Sequence, residues 1–282
     1  MADDVTARAV LGPDGPLAAL LPGYEAREAQ LEMADAVERA LRGERRLLCE
    51  AGTGTGKTLA YLVPAILSGR RVVVSTATKA LQEQIFTKDL PLLERLGLRP
   101  DAALIKGMGN YVCLRRYHQL RGSPEAGDPQ RSAALAAVER WLASDRSGDL
   151  SMMPGSEVAT VRAEIAAASE ARVGPGCVHH DACYVTRSRL RAQEARLLVV
   201  NHHLFFADLA LRGPDFSGGV LPDYDAVVFD EAHQVEDIAT EFFGVRVSTA
   251  RLDVLIRDAG RAFGLDDGRR RPGLPPPDET SR

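Results

Sequence analysis

Two short stretches of this sequence have the residue types and spacing to handle a polyphosphate. The first is Ala51-Gly52-Thr53-Gly54-Thr55-Gly56-Lys57-Thr58. Its glycines let backbone N–H groups converge on an anion without Cβ clashes, and a following helix would add its positive N-terminal dipole. Lys57 would bridge the β- and γ-phosphates and the Thr58 hydroxyl would ligate Mg²⁺. The strict pattern has Gly at the first position, where this chain has Ala51. The second stretch is Phe229-Asp230-Glu231-Ala232-His233. Here Asp230 would hold Mg²⁺ through water while Glu231 polarises the water that attacks the γ-phosphate, a division that requires two adjacent carboxylates. Either stretch has a plainer reading alone, as a Gly-rich turn or a solvated helix start. Together in one chain they point to ATP and Mg²⁺.

Both must be delivered by the right elements. The apolar run Arg46–Glu50 is expected to be a strand, with Cys49 as a small buried residue within it, and Lys57–Leu67 the helix that follows. Arg71–Ser75 is β-branched and continuous, as in a strand buried on both faces of a parallel sheet. Ala103–Lys106, Leu197–Asn201 and Ala226–Phe229 are further candidate strands, alternating with helical patterns at Glu25–Leu41 and Thr78–Leu96. The expectation is an α/β, doubly wound fold in which Asp230 and Glu231 emerge at the carboxyl edge of the sheet, where ligands bind.

The sequence has 282 residues, 45% of them hydrophobic, enough for an ordinary core with attachments. A formal net charge of −4 means that any nucleic-acid contact must come from local clusters of Arg and Lys. The acidic opening MADDVTARAV lacks a signal-peptide pattern and no run of about 18 apolar residues occurs, so a cytoplasmic protein without a membrane partner is expected. Four cysteines are too few for a disulfide framework and stand as free thiols or metal ligands.

With AGTGTGKT, the segment Asp230-Glu231-Ala232-His233 resembles superfamily 2 helicases of the XPD/DinG group, the Rad3-related or DEAD_2 family. Tyr24–Gln30 looks like that group's Q-motif, which would set Arg27 and Gln30 near the adenine. Ser75–Gln84 looks like motif Ia, whose hydroxyls and amides grip DNA phosphates. Lys106–Cys113 and Leu198–Leu204 are similar to segments flanking the family's iron-sulphur domain. The resemblance runs from about Tyr24 to Asp237 and implies a RecA-like P-loop domain with a parallel sheet, interrupted by a mostly helical iron-sulphur-type insertion. It also brings His233 into the catalytic motif with Lys57, Asp230 and Glu231.

The family holds a [4Fe-4S] cluster with four cysteines. Cys113, Cys177 and Cys183 match, but the remaining position is Arg172. Two readings stand: three thiolates with another ligand such as His179 or His180, or a degenerate site that binds no metal. Arg189 and Arg196, with Lys106, Arg115 and Arg116, would line a path for a phosphate backbone, or else form a solvated face.

These readings divide the chain into a lead-in (1–22), a motor domain in two parts (23–106 and 196–260), the insertion (107–195) and a Pro-rich disordered tail (261–282). By resemblance the activity is ATP-dependent 5′-to-3′ DNA unwinding of the kind used in DNA repair, with single-stranded or forked DNA as partner. The second motor domain is expected to be missing from this chain, which alone would not unwind. An orphan nucleotide- or DNA-binding module and a P-loop ATPase acting on something else are the alternatives.

Overall fold

A computed structural model describes residues 5–52, 54–169, 171–212, 219–244, 256 and 259, without the side chain of Glu157. Thr53 and the expected disordered tail lie outside the described residues. Residues 1–238 form one compact unit and 239–282 another, of which little beyond the end of a helix reaching Phe243 is described.

The sheet is parallel, in the order β2-β3-β1-β4. Its strands are β1 (Val72–Thr76), β2 (Ala102–Leu104), β3 (Leu197–Asn201) and β4 (Ala226–Phe229). Val72, Val73 and Val74 are fully buried, as β-branched residues in a parallel strand covered on both faces should be. In register, Ser75 lies opposite Val200 of β3 and Phe229 of β4, so the carboxyl ends of three strands finish side by side.

The first helices, α1 (Ala7–Leu11) and α2 (Pro16–Leu20), fall in the expected lead-in. Leu11 and Leu17 are fully buried there, so this segment joins the core. Helix α3 (Glu28–Gly43) buries Leu31, Ala34, Val37 and Leu41, a 3–4 spaced stripe, against α4 (Lys57–Leu67). Helix α4 is apolar nearly all round, with Ala60, Tyr61, Leu62, Val63 and Ala65 buried. It has the bounds that its sequence suggests.

Arg46–Glu50 is a correction: it is no strand, and Cys49 is exposed along with Leu48. A strand exists only by pairing, and among the described residues none pairs with this segment or with the outer edge of β4.

After β1 the chain forms α5 (Lys79–Gln84), a π turn over Ile85–Asp89, and α6 (Leu90–Arg95). Asp89 Oδ2 is buried without a hydrogen-bond partner, and burial pushes its carboxyl up from 3.8 to about 6, with Lys88 opposing. The folded state thus keeps a proton that the unfolded chain has lost, so stability falls as pH rises between those values. Asp89→Asn should raise stability near neutral pH by about 1 kcal/mol after solvent screening, and give no gain near pH 4. Equal urea midpoints for variant and parent at both pH values would refute this origin.

Residues 111–185 build a second hydrophobic core around Tyr117, Leu135, Val138, Leu150, Val161, Ile165 and Tyr184. Its helices are α7 (Leu114–Arg121), α8 (Pro129–Ser144), α9 (Arg162–Ile165) and α10 (Tyr184–Glu194). Asp128 caps α8 by accepting from the backbone N–H groups of Gln130 and Arg131, ahead of Pro129 at the first helical position. From β3 the chain enters α11 (His202–Leu211), capped by Asn201, and after β4 a short turn leads to α12 (Val235–Phe243). No described helix is long and apolar enough to cross a membrane.

Candidate nucleotide site

The loop before α4 turns twice through left-handed backbone, at Gly54 (φ +77°) and Gly56 (φ +83°). At Gly56 a Cβ would sit 2.2 Å from Gln30 Nε2, so both conformation and space demand glycine. Gln30 is buried in α3 and its amide donates to the Gly56 carbonyl (3.0 Å), while its Oε1 accepts from the Tyr24 hydroxyl (2.9 Å). The residue expected near an adenine therefore also braces the loop. The Arg27 guanidinium lies beside Gly54, about where a Cβ there would reach it. Thr55 Oγ1 donates to the Gly52 carbonyl (2.9 Å). Ala51, Gly52 and Thr55 flank the undescribed Thr53, and Lys57 and Thr58 open α4.

Across from this loop stands the acidic turn. The Asp230 N–H donates to the Ser75 carbonyl (2.8 Å), which extends the β1–β4 ladder by one residue and fixes where the turn begins. Lys57 Nζ is 3.3 Å from Glu231 Oε1. On the next turn of α4, the Tyr61 hydroxyl donates to Asp230 Oδ2 (3.3 Å). His233 is exposed, with Nδ1 3.5 Å from Glu231 Oε2. Glu231 adopts left-handed backbone (φ 56°, ψ 48°), which a non-glycine residue holds only under constraint.

Burial, and then the Glu231 charge, raises the Asp230 carboxyl above its ordinary value. A half-buried carboxylate beside another one is a place where a divalent cation relieves repulsion, so Asp230 and the neighbouring Thr58 fit Mg²⁺. Tyr61 was not legible as a site residue in the sequence. Its only signal was the four-residue spacing from Lys57, which puts both on one helical face.

The cysteines behave differently. Cys113 and Cys183 precede α7 and α10 at their N-caps, and Cys177 follows a short 3₁₀ turn. Among the described residues no three His, Cys, Asp or Glu side chains come together as a metal site. The fourth position is a guanidinium: Arg172 contacts Met108 Sδ (3.9 Å), and it adds to burial in lowering the nearby Arg189. His179 stacks on His118 (5.0 Å) and His180 meets Asp181 (3.4 Å). This donor set does not fit a four-thiolate cluster.

Most of the basic residues suggested for a phosphate path have partners within the chain. Lys106 is buried against Glu83 (2.7 Å) and Asp149 (2.5 Å). Arg115 and Arg116 donate to the carbonyls of Ala171 (2.7 Å) and Ala166 (2.6 Å), and Arg196 to that of Gly69 (2.9 Å). Ser75, placed in motif Ia by resemblance, is fully buried and cannot reach a DNA phosphate.

A glycine-turned loop and an acidic pair facing each other at the carboxyl end of a parallel sheet define a P-loop domain of the RecA-like type. Residues 29–121 match the DEAD/DEAH box helicase family. The chain is 39% identical over 247 residues to the ATP-dependent DNA helicase YoaA of Haemophilus influenzae, covering 87% of this chain and 38% of that protein. It is 36% identical over 258 residues to the ATP-dependent helicase DinG of Mycobacterium tuberculosis, covering 83% and 38%. It is also 29% identical over 256 residues to a Bacillus subtilis protein named 3′-5′ exonuclease DinG, covering 88% and 27%. The chain is thus similar to DinG-like helicases of superfamily 2 and spans about two fifths of the length of the first two.

Proposed function

We propose that this chain is the ATP-binding and ATP-hydrolysing motor domain of an ATP-dependent DNA helicase, working 5′ to 3′ on single-stranded or forked DNA. The single observation that carries the proposal is the 3.3 Å approach of Lys57 to Glu231, which unites two motifs far apart in sequence. A triphosphate entering the loop exchanges the Lys57–Glu231 ion pair for Lys57–phosphate contacts, and so frees the Glu231 carboxylate to take a proton from the attacking water. Mg²⁺, held by Thr58 and Asp230, would neutralise charge on the phosphates. Tyr61 holds the Asp230 carboxylate in place, while Arg27 and Gln30 border the loop on the side assigned to the base. His233, beside Glu231, completes the acidic motif.

We take residues 107–195 as an insertion into the motor domain and assign no iron-sulphur cluster to Cys113, Cys177 and Cys183. DNA contact falls to the loop after β1, at the exposed Thr78, and to arginines on the insertion. Thr78 caps α5, accepting from the Leu81 N–H (3.2 Å), so that helix presents its N-terminus beside any phosphate lying there.

The test is ATP turnover with and without single-stranded DNA. The chain should show turnover that rises on DNA addition and is lost, by about two orders of magnitude or more, in Lys57→Ala. DNA binding without any turnover, or turnover indifferent to Lys57, would overturn the reading.

A further inference from the structure

One buried titratable side chain has no part in the chemistry above yet touches both of its halves. His202, the first residue of α11, is fully buried and lies at the carboxyl end of β3, between β1 and the acidic turn. Its Nδ1 is 2.7 Å from Ser75 Oγ, and its ring packs beside Phe229 at 5.9 Å. Nε2 is buried without a hydrogen-bond partner among the described residues. Burial is the largest influence on this ring and lowers its pKa. The backbone at Asp230 and Glu231 lies close enough to oppose that effect without reaching hydrogen-bond geometry, and His203 and His233 add to the lowering.

We propose that His202 is a positioning residue that couples the loop after β1 to the Asp230–Glu231 turn. The inference rests on the reading of that turn as the hydrolytic pair. A neutral imidazole has one donor and one acceptor, and Ser75 satisfies one of them. The other nitrogen is an orphan, and a buried orphan favours any nearby arrangement that gives it a partner. That partner is at hand in the carbonyls of the acidic turn. Glu231 is the residue in left-handed backbone, so a modest rotation of its flanking peptides relieves local constraint and brings a carbonyl onto Nε2–H. The turn therefore has two arrangements that differ in one hydrogen bond to His202.

Ser75 supplies the other end of the link. Its carbonyl holds the Asp230 N–H (2.8 Å) and its hydroxyl holds His202, so one residue of β1 contacts the acidic turn directly and also fixes the imidazole beside it. The buried Thr76 follows, and its Oγ1 donates to the carbonyl of the proposed DNA-contacting Thr78 (3.1 Å). A phosphate backbone seated at Thr78 moves the end of β1 through Thr76, and with it the Ser75 hydroxyl and the His202 ring. DNA on one side of the sheet edge thereby selects between the arrangements of Asp230 and Glu231 on the other.

The experiment compares the parent chain with His202→Phe, which keeps the ring volume without polar atoms, and His202→Gln, which keeps a donor and an acceptor. DNA-stimulated kcat should fall about tenfold in His202→Phe with the KM for ATP unchanged, and recover in part in His202→Gln; tenfold lies within the usual range of site-to-site coupling. Unchanged stimulation in a folded His202→Phe overturns the proposal, as does an equal loss in both variants. Histidine ring ¹⁵N spectra give a readout independent of turnover: the His202 Nε2 resonance should shift when a single-stranded oligonucleotide is added and again with Mg-ADP. A resonance indifferent to both overturns the coupling whatever the turnover. A resonance that shifts in a parent chain without turnover supports the coupling and overturns only the motor reading.

Discussion

Glu231→Gln is expected to leave nucleotide binding intact and to lower ATP turnover by about two to four orders of magnitude, the contribution of a positioned general base. Glutamine keeps the volume of the side chain and its place opposite Lys57, so the loop and the acidic turn remain assembled. It loses the carboxylate that accepts the water proton and the charge that holds Lys57 at 3.3 Å. Without that competing ion pair Lys57 is more available to phosphate, so nucleotide affinity should rise rather than fall. Single-turnover hydrolysis separates the two effects from product release. A variant that turns over ATP within a few-fold of the parent would show that another group takes the proton, and the role assigned to Glu231 would fail.

Lys106→Met should destabilise the chain by about 3–5 kcal/mol, the usual consequence of removing one partner from a buried ion pair. The Lys106 side chain is 1% exposed and meets Glu83, Asp149 and the Ser151 hydroxyl at once. Burial alone would lower its pKa, but the hydrogen bonds and charges of Asp149 and Glu83 outweigh it and the net shift is upward. A lysine raised in the folded state contributes stability that is complete below its ordinary value and is lost as pH rises through the folded one. The penalty of Lys106→Met should therefore be constant through neutral pH and shrink only in strong alkali. The lysine joins α5 to the loop at Asp149–Ser151, so its loss loosens the contact between the sheet's helices and the second core. Adding Glu83→Gln and Asp149→Asn should recover much of the loss, because the two unpaired charges account for most of it. Urea unfolding of the single and triple variants checks this, and a single variant with the parent midpoint would mean that water already screens the trio.

Glu231 and Lys106 differ in how visible they were. Lys106 reads as one basic residue among many, and the sequence offered it to a phosphate backbone; only the fold shows that two acids from distant segments have claimed it. Arg115, Arg116 and Arg196 repeat the lesson, since their guanidinium groups are taken up by carbonyls of the chain itself. A charge is written in the sequence, whereas its partner is a fact of three dimensions.

The elements show the same division. Helix α4 runs from Lys57 to Leu67 as expected, because a left-handed glycine fixes its start and its apolar composition makes it a buried helix wherever it packs. The β-branched runs became β1, β3 and β4 for a similar reason. Arg46–Glu50 offers only the apolar run Leu47-Leu48-Cys49, with no β-branched residue, and among the described residues it is unpaired, because a strand is completed by a neighbour that local sequence does not name. Leu11 and Leu17 entered the core from helices of five residues, too short to show a period.

By itself the sequence determined the phosphate loop, the acidic pair and the kind of sheet that would bring them together, since each depends on residue type and short-range spacing. Tertiary structure alone decided that Tyr61 holds Asp230, that Gln30 braces Gly56, that Ser75 faces inward to His202, and which basic groups are held by acids and carbonyls of the chain itself. Those outcomes depend on what lies across a strand or helix at hydrogen-bond distance, and the register and packing that set such distances are properties of the whole folded chain.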